Sequence, residues 1–211
     1  MKSFPVAWRW TLAALIVIVA LAVAIWPRGT RETARDTARP TAAPSAAVSQ
    51  DMRAAAGLAD CPQPAPGAIA RGPLAGITLN CLANGRPVEL AAALAGRPAL
   101  LNLWTYWCPP CAEELPALQR YAARPGAVTV LTVHSDPGEA AALARLTDLG
   151  VRLPGVQDAR AEVRNAAGAP AVQPVSVLVR ADGSIAKVVV RPFRDTDDIA
   201  ATVAAELGVA A

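Results

Sequence analysis

Hydrophobic and polar positions divide this chain of 211 residues into three segments. Residues 11–26 form an apolar run that no charged side chain interrupts. Residues 27–60 are rich in Ala, Pro, Thr and Arg and contain few large apolar side chains. From residue 61 onward, short apolar runs alternate with polar turns. The pattern therefore predicts an apolar segment over 1–26, a linker over 27–60 and a folded domain over 61–211.

The folded domain is predicted to have an α/β architecture. Two continuous apolar runs, 99–104 and 128–133, are typical of strands buried on both faces. Helical spacing and start signals predict helices at 109–123, 139–149, 159–167 and 195–207. Asn-Gly and Asp-Gly turn signals predict hairpins of strands at 77–82 with 87–90 and at 175–179 with 185–190. This order predicts a mixed central sheet flanked by helices, with an N-terminal hairpin extension.

The N-terminal apolar segment has the length of a membrane span. As a helix, residues 7–26 would rise roughly 30 Å, about one hydrocarbon thickness. Lys2 and Arg9 lie on its N-terminal side, which favours a cytoplasmic N-terminus. We predict a single transmembrane signal anchor with the domain on the extracytoplasmic face. The alternative is a signal peptide that is cleaved, leaving a secreted protein; in both cases the domain leaves the cytosol.

The linker composition predicts a flexible tether, because it offers too few apolar side chains to bury. As coil, its 34 residues would span on the order of 30 Å or more.

Composition and charge exclude two classes of protein. The hydrophobic content is 54%, but 49 residues are alanine and there is a single long apolar run, so a multi-span membrane protein is excluded. Residues 61–211 carry thirteen basic and thirteen acidic side chains. A domain without net charge lacks the basic surface that nucleic-acid binding requires.

Two of the four cysteines have the placement that thiol chemistry requires. Cys108 and Cys111 follow a predicted buried strand and begin a predicted helix. The reactive species is the thiolate, which the free N–H groups and the dipole of a helix N-terminus stabilise. Two intervening residues allow the second sulfur to displace a mixed disulfide. Pro109 and Pro110 fit there, since the first turn leaves its N–H groups unpaired.

Metal binding is the alternative use of this motif. Half of a zinc site has the same C-x-x-C spacing, but Cys61 and Cys81 lie 47 and 27 residues before Cys108, which is poor spacing for zinc knuckles. His134, the single histidine, ends the second buried strand. A copper or zinc module would use it with the two cysteines; otherwise it is an incidental strand-end residue. We expect no metal and no cofactor.

The segment 102–116, with its WCPPC element at 107–111, resembles the active-site segment of thioredoxin-fold proteins of the TlpA/ResA type. Residues 172–179 resemble the strand that begins with a cis proline in that family, and the resemblance covers about residues 70–208. It implies a thioredoxin-like fold and a membrane-anchored, extracytoplasmic thiol–disulfide oxidoreductase. In that family a small residue or a threonine usually precedes the proline, and a threonine commonly follows it. Here Gln173 precedes it and Val175 follows it, which concerns substrate preference.

The resemblance also implies roles for single residues. Cys108 would be the attacking sulfur and Cys111 the buried resolving one. Pro174 would be cis, leaving the backbone of Gln173 free to pair with a bound chain; a trans proline at a strand start is the alternative. Trp107 would shield the dithiol, unless it is a core aromatic.

Three more residues are candidates for supporting roles. Glu114 lies one helical turn past Cys111. A partly buried carboxylate there could raise the pKa of that cysteine or relay a proton; the alternative is a solvated helix charge. Outside the cytosol, Cys61 and Cys81 are expected to form a structural disulfide that closes a loop of about 20 residues. A second redox pair is the alternative.

The function predicted is disulfide exchange with exported proteins, in the reducing direction and for example in cytochrome c maturation. A membrane redox partner would supply the electrons. The alternatives are a disulfide-forming oxidase of the same fold, a copper- or zinc-binding module, and a structural domain whose C-x-x-C is a stable disulfide.

Overall fold

The strands predicted from apolar runs form the centre of a seven-stranded mixed sheet. The computed structural model of the protein describes residues 48–209. The strands are β1 Thr78–Cys81, β2 Pro87–Glu89, β3 Ala99–Trp104, β4 Thr129–His134, β5 Gly155–Gln157, β6 Val175–Val179 and β7 Ile185–Val189. Their order is β2-β1-β5-β4-β3-β6-β7. The α/β fold with a mixed sheet is thereby confirmed.

The strand directions place the carboxyl ends of β3 and β4 side by side at the same end of the sheet. These two strands are parallel and in register from the Ala99–Thr129 pair to the Trp104–His134 pair. β5 runs parallel to β4, whereas β6 is antiparallel to β3. In an α/β sheet, the loops that follow the carboxyl ends of parallel strands commonly carry the functional groups.

The helices cover the sheet and agree with most of the predicted ones. They are α1 Gln50–Ala56, α2 Leu90–Leu94, α3 Pro109–Ala122, α4 Glu139–Asp148, α5 Glu162–Ala166 and α6 Thr196–Leu207. Asp195 caps the start of α6 by accepting hydrogen bonds from two backbone N–H groups, and Gly208 ends it in the left-handed conformation.

The core consists of one layer on each face of the sheet. Because side chains alternate along a strand, Leu100 and Trp104 of β3 pack with α3 and α6, while Leu101 and Leu103 pack on the other face. Full burial of one such side chain contributes roughly 1.5–3 kcal/mol. Asn102 lies on the face of Leu100 and Trp104, so a polar side chain enters the layer beneath α3.

Two expectations about the N-terminal part differ from the structure. The predicted hairpin, β1 with β2, also pairs with β5, so it is an integral edge of the main sheet. The linker was expected to extend to residue 60, but α1 is helical from Gln50 to Ala56. Its Arg53 is buried, donates to the Leu82 carbonyl oxygen at 2.8 Å and pairs with Glu139 at 2.8 Å. The end of the predicted linker therefore belongs to the folded unit.

The predicted anchor, residues 1–26, and residues 27–47 of the predicted linker lie outside the described residues. Within residues 48–209, no helix has the length and apolar character needed to cross a membrane.

A disulfide joins Cys61 to Cys81, as predicted. Both residues are buried, and the bond ties the chain that follows α1 to the end of β1. A closed loop of this size constrains the unfolded chain, which in the chain-entropy model stabilises the fold by about 3 kcal/mol.

Replacing both Cys61 and Cys81 with serine is expected to lower the melting temperature by roughly 6–12 °C, because about 3 kcal/mol of stability is lost from a domain of this size. Turnover by the remaining two cysteines should be unchanged at temperatures well below melting. Calorimetry and a disulfide-exchange assay on the same samples check this. Unchanged melting combined with lost turnover would instead assign the pair a redox role.

Candidate active site

Cys108 and Cys111 are joined by a disulfide at the start of α3. Cys108 is the N-cap residue, and its Sγ accepts a hydrogen bond from the Cys111 backbone N–H at 3.2 Å. It is 5% exposed, whereas Cys111 is fully buried. The sulfur of Cys108 thus lies at the positive end of a helix of 14 residues, beside a backbone donor.

The sequence produces this arrangement locally. β3 ends at Trp104, and the chain then forms a tight turn in which the Cys108 N–H donates to the Thr105 carbonyl oxygen. Pro109 and Pro110 then occupy the first helical positions, where a missing N–H costs no helical hydrogen bond. Because neither proline has a backbone N–H, neither can donate a hydrogen bond to the Cys108 sulfur in place of Cys111.

A groove of about 450 Å³ opens beside the dithiol. Its lining includes Trp107, Cys108 and Pro110 from around the start of α3, Arg164 of α5, and Val172 and Gln173 of the loop before β6. The peptide bond between Gln173 and Pro174 is cis, so the prediction of a cis proline is correct and the trans alternative is wrong.

Trp107 is a surface residue next to the dithiol. It is 61% exposed, which excludes the alternative of a core aromatic. Its Nε1–H donates to Asp136 Oδ2 at 3.0 Å, and Asp136 Oδ1 accepts from the Gly138 N–H at 2.7 Å. The carboxylate after β4 therefore fixes the indole beside Cys108. Sequence reasoning did not identify Asp136 as part of the site.

Glu114, three residues past Cys111 on α3, is buried at 1% exposure, so the solvated alternative is wrong. Its carboxylate accepts hydrogen bonds from the Phe193 backbone N–H at 2.9 Å and from Asn102 Nδ2 at 3.1 Å. Burial raises the pKa of Glu114 from 4.5 to about 7, although both hydrogen bonds oppose this change. The neighbouring Glu113 is exposed, as expected.

The partners of Glu114 were not predicted. Asn102 also donates to Ser176 Oγ at 3.2 Å, which links β3 to β6 beneath the site. A polar residue within a run expected to be buried on both faces is the signal that could have identified Asn102. Phe193 contributes a backbone N–H from the loop before α6, and no sequence pattern marks such a contact.

The ion pair of Arg191 with Asp198 also acts on the Glu114 carboxylate. Arg191 binds Asp198 at 2.7 Å and holds the pKa of Asp198 near 2, well below its usual value. The guanidinium also lies 5.2 Å from the centre of the Phe193 ring. Because Arg191 is paired with Asp198, its attraction only partly offsets the effect of burial on Glu114.

His134 lies inside the protein, where it contacts aromatic and amide groups. It is buried, its ring centre is 5.0 Å from that of Trp104, and its Nδ1 is 2.9 Å from Gln157 Oε1. Burial lowers the pKa of His134, which favours the neutral ring. Within residues 48–209, no three His, Cys, Asp or Glu residues are grouped so that they could hold a metal ion. The metal-carrier alternative therefore lacks a ligand set in that part of the chain.

Comparison with known proteins gives consistent matches. The sequence model of the Redoxin family matches residues 63–204. The soluble secreted antigen MPT53 of Mycobacterium tuberculosis is 33% identical over 101 residues, which are 48% of this chain and 57% of that protein. The thiol-disulfide oxidoreductase ResA of Bacillus subtilis is 31% identical over 108 residues, 50% of this chain and 59% of that protein. The chain thus spans little more than half the length of these curated relatives.

Solved structures show the same fold. A secreted Mycobacterium tuberculosis disulfide oxidoreductase homologous to Escherichia coli DsbE superposes with a TM-score of 0.53 and 31% identity, covering 61% of this chain and 95% of that one. A secreted thiol-disulfide isomerase from Corynebacterium glutamicum gives a TM-score of 0.54 and 26% identity, covering 64% and 83%. The chain is therefore a member of the Redoxin family with a thioredoxin-like fold, and its resemblance to thiol–disulfide oxidoreductases of the TlpA/ResA type is confirmed.

Proposed function

We propose that this protein is an extracytoplasmic thiol–disulfide oxidoreductase that exchanges disulfides with exported proteins through Cys108 and Cys111. The observation that carries the proposal is their disulfide at the N-terminus of α3, with Cys108 on the groove and Cys111 buried behind it. Relatives named as thiol-disulfide oxidoreductases, and one named as a secreted antigen, support the chemistry and the compartment.

The exchange proceeds in two steps that conserve electrons. The Cys108 thiolate attacks one sulfur of a substrate disulfide; a mixed disulfide forms, and the other substrate sulfur leaves as a thiolate that takes up a proton. Cys111 then loses its proton and attacks the Cys108 sulfur. The second substrate thiol is released, and the Cys108–Cys111 disulfide has replaced the substrate disulfide. Run backwards, the same steps oxidise a substrate dithiol.

Several neighbours support these steps. The Cys111 N–H and the helix dipole favour the ionised form of Cys108. Gln173, the residue before the cis Pro174, lines the same groove, where its backbone can pair with an extended substrate chain. Trp107, which Asp136 holds in place, provides an apolar contact beside the attacking sulfur.

Glu114 is the group that exchanges a proton with Cys111. It lies one turn further along α3, on the buried side of the helix. A pKa of about 7 leaves the carboxyl group close to half protonated at neutral pH, so it can both accept the proton of Cys111 and return it.

We infer the reducing direction, with electrons supplied by a membrane redox partner and with exported proteins such as apocytochromes c as substrates. Residues 1–26 would anchor the protein. The two sulfurs carry both electrons, so the mechanism calls for no cofactor.

The reduction potential of the Cys108–Cys111 couple tests the direction. The full-length protein with Cys61→Ser and Cys81→Ser leaves a single dithiol to titrate against glutathione or dithiothreitol. A value near that of thioredoxin, about −270 mV, supports a reductase. A value near about −120 mV, as in the strong oxidant DsbA, would assign the protein to disulfide formation instead.

A further inference from the structure

We propose that Arg164 selects substrate segments that carry an acidic side chain next to the cysteine that Cys108 attacks. This inference rests on the proposed function and names a feature of its substrates. It assigns to the α5 region a role in recognition, in addition to the exchange chemistry of α3.

Arg164 is held towards the groove by the fixed position of α5. The carboxylate of Asp158, which is fully buried, accepts the backbone N–H groups of Glu162 at 2.8 Å and Val163 at 3.0 Å. Val163 is also fully buried, which fixes the inner side of this short helix. The adjacent Arg164 is half-buried and lines the groove that contains Cys108. Arg164 therefore belongs to a short helix whose start is fixed by two hydrogen bonds to a buried carboxylate.

The charge of Arg164 is not neutralised within the described part of the chain. Arg164 forms no ion pair there, and its one side-chain hydrogen bond, to Asn165 Oδ1, is long at 3.4 Å. The carboxylate of Glu162, on the same helix, is bound by Arg160 at 2.6 Å. Arg164 is also the single charged side chain among the groove residues. A half-buried guanidinium without a carboxylate is a suitable partner for an acidic group of a ligand.

The carboxylate of Asp136, which binds the indole of the groove residue Trp107, does not compete for this charge. Both oxygens of Asp136 are already engaged, one by the Trp107 indole N–H and one by the Gly138 backbone N–H. The negative charge that complements Arg164 is therefore expected to come from the substrate.

The polar atoms of the groove indicate a polypeptide as the occupant. Three of its lining residues, Thr105, Ser135 and Gln173, each have a buried side-chain oxygen without a hydrogen-bond partner among residues 48–209. Buried polar atoms are rarely unpaired in folded proteins. An extended substrate backbone in the groove would offer N–H and C=O groups with which these side chains can pair once they rotate towards it, and the exposed Trp107 and Val172 would contact its side chains.

The test uses the full-length protein and three disulfide-linked peptides that differ only in the residue next to the attacked cysteine: Glu, Gln or Lys. We expect wild type to prefer the Glu peptide over the Gln peptide by roughly fivefold in kcat/KM, the most that a partly exposed ion pair usually gives. Arg164→Gln should remove this preference, and Arg164→Glu should reverse it in favour of the Lys peptide. The matched control is Arg160→Gln, two residues before the start of α5, whose side chain is 81% exposed and pairs with Glu162.

The possible results separate this inference from the function on which it rests. Loss of the preference in Arg164→Gln, with no change in Arg160→Gln and a weaker preference at high salt, supports it. Equal kcat/KM for all three peptides in wild type overturns it. An equal decrease for all three peptides in Arg164→Gln, with a higher pH midpoint for Cys108 alkylation, also overturns it, since Arg164 would then stabilise the thiolate for every substrate. If wild type turns over none of the peptides, the proposed function itself is wrong.

Discussion

Replacing Cys108 with serine is expected to reduce disulfide turnover by a factor of about a thousand or more, because a serine hydroxyl is not ionised at neutral pH and cannot attack a disulfide. Replacing Cys111 with serine should have a different consequence. Cys108 can still attack, but nothing resolves the product, so a mixed disulfide accumulates. The burial of Cys111 behind Cys108 is the structural reason for this asymmetry.

An insulin reduction assay and mass spectrometry of the trapped adduct measure these two outcomes. The Cys61→Ser/Cys81→Ser protein is the control, because it lacks two cysteines but retains the dithiol at α3. The adduct should be found on Cys108. Turnover that survives in Cys108→Ser, or an adduct that forms on Cys111, would contradict the assignment of the attacking sulfur.

The second large effect concerns Glu114 and the pH dependence of stability. Its pKa is about 7 in the folded protein and 4.5 in an unperturbed carboxyl, so folding favours the protonated form. The stabilising contribution is therefore complete below about pH 4.5 and is lost as the pH rises through 7. A pKa change of this size lowers the free energy of unfolding by on the order of 3 kcal/mol across that pH interval.

Glu114→Gln should remove this pH dependence. A glutamine amide accepts only one of the two hydrogen bonds from Phe193 and Asn102, but that loss does not vary with pH. We therefore expect the free energy of unfolding of the variant to rise relative to wild type by roughly 3 kcal/mol between pH 4.5 and 8. The pH profile of turnover should also flatten near neutral pH, where Glu114 exchanges its proton.

Denaturant titrations of the oxidised proteins at several pH values check this prediction, since the disulfides then keep all cysteines from titrating. Glu113→Gln is the matched control, because Glu113 is the adjacent residue but is exposed. Its stability should follow that of wild type at every pH. Parallel curves for Glu114→Gln and wild type would show that the buried carboxyl titrates normally.

The elements that local sequence determines were predicted well. β3 and β6 have the predicted bounds, because continuous apolar runs of this length fit buried strands. Helix α3 begins at the predicted residue, since Pro109 and Pro110 define its first turn. The disulfide at Cys61 and the cis bond before Pro174 were also predicted, the first from the compartment and the second from family resemblance.

The elements that depend on distant contacts were missed. β5 has three residues, too few for a periodic pattern, and it is a strand because β4 and β1 pair with it. α1 has a Ser49 cap and a terminal Gly57, but its place in the fold depends on Arg53 reaching carbonyl groups at the end of β1. The surroundings of Glu114 likewise come from β3 and from the loop before α6, which no local pattern connects to α3.

The most direct test of the central claim, that the start of α3 makes Cys108 a nucleophile, is the pH dependence of its alkylation in the reduced full-length protein. We expect a midpoint well below that of an unperturbed thiol, about pH 8.5, with Cys111 protected from the reagent. A midpoint at or above that value, or alkylation of Cys111 before Cys108, would contradict the claim.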